Sequence, residues 1–239
     1  MSVQINMPSS IIALAHLNAR PCRELAILII FLLFLLSAHT EAHPHNWIQL
    51  DSTFVLDDQA RLIEIKQTWA FDTYYSMMTL ADAVNEHGNE TVGLKVTAER
   101  MILNLAEYKY FSNLRVNGAQ ITLGKPTSFA LTKTSTSDDE FQRPGLELTM
   151  AFKVAPSIAI EKQTLQWQVF DPMYYIAMEH SVVNNIQVIG GDATECSTEL
   201  DIPEPSEEII KYAMQLDQTQ KDTPGLGKHF AETAVIRCF

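Results

Sequence analysis

The sequence predicts a mainly β, α+β fold: an antiparallel β-sandwich-like domain with a helical insertion after the first hairpin and a short C-terminal helix. Three observations carry that expectation. Apolar and polar residues alternate from Asn46 to Leu56 and again from Arg61 to Phe71, the period-two pattern of strands with one buried face. Short strand signals then recur along the chain, punctuated by turn dipeptides such as Asn117-Gly118 and Pro144-Gly145. No regular strand–helix alternation appears, which argues against a two-lobed α/β solute-binding architecture.

Ahead of the first strand, Arg20 and Arg23 flank an apolar run from Leu25 to Leu36 that leads to Thr40-Glu41-Ala42. A basic flank, a short apolar core and small residues at its end are the pattern of a secretory signal peptide. The core is about twelve residues long, where a membrane span needs roughly 20. The expected division is therefore residues 1–42 as signal peptide and 43–239 as a single β-rich periplasmic domain with no stable membrane insertion. An uncleaved anchor is the alternative. Cys22 precedes the apolar run, so it is not a lipidation site at the cleavage point.

Of the 17 basic and 29 acidic residues in the chain, 15 and 27 lie beyond position 42, and the net charge of −12 is unchanged by cleavage. So acidic a domain is not a nucleic-acid binder. Cleavage also leaves two of the three cysteines, Cys196 and Cys238. In an oxidising compartment an even pair reads as a disulfide, tying the last strand to an upstream loop. A thiolate metal site is the alternative, and the wide spacing lacks the usual zinc-site pattern.

Element by element, Asp57-Asp58-Gln59-Ala60 turns the first hairpin. Helix formers with apolar residues three or four apart, among them Leu94, Ala98, Met101, Leu105 and Tyr108, predict helices over 74–84 and 92–110 joined through His87-Gly88-Asn89. Strands are expected at 114–116, 120–123, 127–136, 146–154, 164–170, 174–180 and 185–189, with a mobile loop at 135–145. Ser206 is placed to cap a short helix at 207–216, and a last strand covers 229–239. One echo stands out. Trp69-Ala70-Phe71-Asp72 with Tyr74-Tyr75, and Trp167-Gln168-Val169-Phe170-Asp171 with Tyr174-Tyr175, each bring an aspartate to a strand end among aromatic rings.

His43-Pro44-His45 is the foremost metal candidate. Two residues apart in an extended chain, the imidazoles fall on one side, roughly 7 Å apart at the backbone. Pro44 lacks an amide proton, which rules out the copper motif built from deprotonated backbone amides. Asp72, Asp171 and His180 are the candidates to complete the site. Imidazole with carboxylate suits zinc, nickel, cobalt or copper, and residue types alone do not choose among them; the expected cofactor is a divalent transition metal, zinc first. Each residue also has a structural reading: a polar tail for the histidine pair, a helix cap for Asp72, a turn for Asp171, a satisfied surface residue for His180. Met77, Met78, Met101 and Met173 offer thioethers for a soft copper site, but they sit in apolar patterns and read more simply as core filler. No nucleophile elbow or phosphate-cradling loop is present, so no enzyme is expected. A metalloenzyme with an open coordination position is the weaker alternative.

Taken together, His43-Pro44-His45-Asn46-Trp47, Phe71-Asp72 with Tyr74-Tyr75, Phe170-Asp171-Pro172 with Tyr174-Tyr175, and the run from Phe230-Ala231 to Cys238 resemble domain of unknown function 1007 across the whole mature chain. The resemblance implies a periplasmic component of an uncharacterised ABC-type transport system, of the kind encoded beside nickel/cobalt-type or zinc-related permeases. It implies an inner-membrane metal permease as partner. The rival expectation is a non-catalytic interaction module that docks on a membrane transporter without binding metal.

Overall fold

One face of the first hairpin is apolar because it closes the centre of a two-sheet sandwich. In the computed structural model, described for residues 44–135, 143–180, 182–191, 196–216 and 225–239, strands β1 (Asn46–Leu56) and β2 (Arg61–Phe71) pair antiparallel from Ile48 opposite Phe71 to Leu56 opposite Leu62. The Asp57 carboxylate closes their turn by accepting from the Gln59 and Arg61 amides at 3.0 and 2.9 Å. Ile48, Leu50, Phe54 and Leu56 point inward and are buried, while Trp47, Gln49 and Asp51 between them are exposed.

The helical insertion follows as expected. Helix α1 (Thr73–His87) starts on Asp72, whose side chain accepts from the Tyr75 amide, and stops at Gly88, in the left-handed conformation with φ 65°. Helix α2 (Glu90–Leu105) starts on Asn89, whose side chain accepts from the Val92 amide at 3.1 Å. Leu80 and Ala83 of α1 and Leu94, Ala98 and Ile102 of α2 join the same core as the strands. The second helix ends five residues before the predicted limit, because Lys109–Phe111 forms a 3-10 turn with positive φ values instead.

Strands β3 (Ser112–Val116), β4 (Ala119–Ile121), β5 (Ser128–Ser135), β6 (Pro144–Ala159), β7 (Thr164–Val169), β8 (Ile176–Glu179), β9 (Ile186–Ile189), β10 (Cys196–Asp201) and β11 (Thr233–Cys238) complete the sheets, with helix α3 (Glu207–Gln215) after β10. One sheet runs β5-β6-β2-β1, and the free edge of β1 is taken by β8 along one half and β9 along the other. Both of those pairings are parallel, whereas the other strand pairs among the described residues are antiparallel. The second sheet runs β10-β11-β7-β3-β4. Phe54 meets Trp167 edge-on between the sheets, with centroids 5.9 Å apart and planes at 87°.

Two further sequence expectations need correction. Residues 196–201 form a strand and not a loop, so the Cys196–Cys238 disulfide links directly opposite residues of β10 and β11. The last strand begins at Thr233, since Leu226–His229 is a 3-10 turn. That turn comes close to the end of β7: a Cβ on Gly227 would lie 1.8 Å from the Asp171 carbonyl oxygen, so only glycine fits. The predicted signal-peptide region, His43 and most of the predicted loop at 135–145 lie outside the described residues. Among the described residues no helix is long and apolar enough to cross a membrane.

Candidate functional site

The aspartate at the end of β2 organises the first candidate site. Asp72 caps α1 through Oδ1, which accepts from the Tyr75 amide at 2.9 Å. Its Oδ2 reaches the Trp47 amide only at 3.5 Å, and the Asp72 amide donates back to the Trp47 carbonyl at 3.2 Å. The start of β1 is thereby fastened to the start of α1. His45 enters through backbone pairing, its amide donating to the Tyr175 carbonyl at 2.9 Å, with the two rings 4.6 Å apart.

These contacts frame an open cleft of about 440 Å3 lined by His45, Trp47, Asp72, Thr73, Tyr74, Met77 and Arg143. Trp47 and Tyr74 are 53% and 76% exposed on its lining. Beside it, burial pushes the Tyr75 hydroxyl above its ordinary range, and the Asp72 charge adds to the effect. The phenol therefore stays neutral near pH 7 and is not an anionic ligand. A carboxylate offers about four lone-pair sites, so capping leaves Asp72 able to accept further partners in the cleft.

The other two candidates are used elsewhere. Asp171, 3% exposed, accepts three backbone amides: Met173 at 3.0 Å on one oxygen, Tyr175 at 2.8 Å and Ile176 at 3.1 Å on the other. It is the organiser of the turn into β8, as its structural reading held. His180 is neither a ligand beside His45 nor a surface residue; it is 1% exposed. The parallel register explains the separation. His45 sits beside Tyr175, and His180 lies five residues further along, roughly 16 Å at strand rise.

His180 instead belongs to a buried polar chain whose other members sequence reasoning missed. Trp167 Nε1 donates to Ser52 Oγ at 3.0 Å. Ser52 Oγ and His180 Nε2 are 3.0 Å apart, and His180 Nδ1 and Glu232 Oε2 are 3.2 Å apart. The His180 amide also donates to Glu232, at 2.7 Å. An indole only donates and a carboxylate only accepts, which fixes the two ends: Trp167 donates to Ser52 Oγ and His180 Nδ1–H donates to Glu232, with Ser52 Oγ and His180 Nε2 sharing the bond between them. The order matches a hydrolytic triad, but Ser52 is 1% exposed and sealed between the sheets. The chain joins β1 and the end of β8 in one sheet to β7 and the start of β11 in the other, satisfying polar groups that burial would otherwise penalise. Its only sequence signal was a serine at an inward position of β1, which predicts a buried hydroxyl but not its partner.

Among the described residues, no group of three or more His, Cys, Asp or Glu side chains gathers as a metal site. The cleft supplies two such donors, His45 and Asp72. His43 precedes His45 by two residues and lies outside the described residues.

The architecture defines a disulfide-linked, two-sheet sandwich with a helical pair inserted after its first hairpin. The chain belongs to the family described as protein of unknown function DUF1007, which it matches over residues 28–238. It is also similar to an uncharacterised protein of Haemophilus influenzae, 25% identical over 202 residues that cover 82% of this chain and 91% of the relative. No solved structure matches significantly.

Proposed function

We propose that the protein is an exported, periplasmic accessory of a transition-metal transport system, and that it binds a divalent ion, zinc first, at the cleft where β1 meets α1. The observation that carries this reading is the convergence of His45 and Asp72 on one open cleft, immediately after a second histidine in sequence. His43 would supply the third donor. A tetrahedral site with three protein ligands keeps one position open, which suits an ion that is handed on. The disulfide fits an oxidising compartment. The partner in this reading is an inner-membrane metal permease, and no catalytic step is assigned.

Zinc calorimetry on four forms tests it. The parent should bind one zinc ion, and replacing His43 and His45 together by alanine should abolish binding while the metal-free unfolding midpoint stays put. Asp72→Ser separates ligation from capping, because serine keeps the cap acceptor and removes the carboxylate; affinity should fall at least tenfold with little loss of stability. Asp171→Asn should leave zinc affinity unchanged. Undiminished affinity in the double histidine variant sinks the proposal. A second reading, a docking module without metal, draws on the exposed Trp47 and Tyr74 rings and predicts crosslinking of a membrane partner in chelator.

A further inference from the structure

The donors around this cleft are not all hard. The apolar pattern assigns Met77 and Met78 to the core, yet they are 46% and 49% exposed. The reason is the phase of α1: its buried residues are Ser76, Leu80 and Ala83, four and then three residues apart. Met77 is turned one position, about 100°, from that stripe. Tyr74 and Met77, three residues apart, share a helix face, and this face lines the cleft together with His45 and Trp47. The cleft thus carries a thioether, an imidazole and a half-exposed indole.

Each of the three has a defined preference. Thioether sulfur selects soft ions, Cu(I) above all, and imidazole also binds copper. Tryptophan is the best of the aromatic rings for holding a cation against its face. Asp72 and Arg143 lie on the same lining, and their opposite charges oppose each other's effect on a bound cation, which leaves donor softness to discriminate between ions. We infer that the cleft takes a soft monovalent cation, Cu(I), with His45 and Met77 as donors and the Trp47 ring as a cation–π contact. The inference rests on reading the cleft as a metal site, and adds that the site discriminates by softness through Met77.

Ag(I), a soft monovalent ion that stays in one oxidation state, is the probe. Trp69 and Trp167 are 2% and 0% exposed, so an ion arriving from solvent meets Trp47 alone. Cys196 and Cys238 are joined, and a Cys22→Ser background removes the remaining thiol. Titration of the purified protein with silver nitrate, in chloride-free buffer, should quench tryptophan emission to saturation at one equivalent. Met77→Leu should weaken Ag(I) at least tenfold while leaving zinc affinity within twofold; Met78→Leu should change neither. Trp47→Phe should remove the emission response. Because Met77 is exposed, the leucine variant should unfold at the parent midpoint. An Ag(I) affinity in Met77→Leu within twofold of the parent overturns the inference, as does the absence of saturable quenching. Met77-dependent Ag(I) binding without zinc binding would support this inference and remove the divalent reading; zinc binding with Met77-independent silver would do the reverse.

Discussion

Replacing Ser52 by alanine isolates the buried chain between the sheets. The change removes one oxygen and almost no volume, but it leaves two buried groups unmet: the Trp167 indole N–H and His180 Nε2, each 3.0 Å from that oxygen. An unsatisfied buried donor or acceptor costs about 1–3 kcal/mol, so with two of them the variant should lose about 2–6 kcal/mol, a large share of the roughly 5–15 kcal/mol that holds a typical domain folded. Glu232 keeps the His180 backbone amide at 2.7 Å, so no buried charge is stranded. Urea unfolding with the disulfide intact, followed by both circular dichroism and tryptophan emission, reads the loss as a lower midpoint at unchanged slope. The His180→Ala variant should lose about as much or more, since it adds a cavity. The double variant should lose about 1–2 kcal/mol less than the sum, because each change removes the same hydrogen bond. A loss below about 0.5 kcal/mol for Ser52→Ala, or additivity of the two variants, would refute the reasoning.

Three further outcomes rest on named contacts. Reducing the Cys196–Cys238 bond, or replacing both cysteines by serine, reopens a loop spanning 42 residues and should lower stability by about 4 kcal/mol on chain-entropy grounds; denaturant midpoints with and without dithiothreitol measure it, and equal midpoints would contradict it. Gly227→Ala sets a methyl 1.8 Å from the Asp171 carbonyl oxygen unless the chain shifts; both sides are backbone, so thermal unfolding should show a loss of about 1–3 kcal/mol. The raised Tyr75 hydroxyl gives an alkaline signature: above about pH 10 the unfolded phenol ionises first, the unfolded state then holds fewer protons than the native, and stability falls as pH rises toward the folded value. Tyr75→Phe should flatten that slope in stability measured from pH 9 to 11.

The strands that sequence placed accurately are those whose two faces meet different solvents. In β1 the alternation is strict because one side closes the core and the other faces outward, and in β2 it runs from Ile65 to Trp69, past a register shift between Leu62 and Glu64. Strand β10 was illegible for the opposite reason. It is an edge strand, Cys196-Ser197-Thr198-Glu199-Leu200-Asp201, with every residue half-buried or exposed, so its place comes from pairing with β11 and from the disulfide. The parallel seating of β8 and β9 on β1 was equally hidden. Neither strand's own residues encode its direction.

The two Phe-Asp and Tyr-Tyr stretches show why a local motif did not decide the site. Both aspartates end an apolar strand and both accept backbone amides, as either capping or turn chemistry predicts. Yet Asp171 is enclosed and meets three amides within 3.1 Å, while Asp72 meets one at 2.9 Å and another only at 3.5 Å. The difference lies in the path of the chain beyond each strand. After Asp171 it turns at once into β8, and the 3-10 turn at Leu226–His229 approaches from the far end of the sequence. After Asp72 a helix begins and carries its first turn outward, so the carboxylate faces an open cleft with His45. Sequence made the two positions equivalent, and long-range packing left one of them facing solvent. Substitution at Asp72 should therefore read on a ligand, and substitution at Asp171 on the fold.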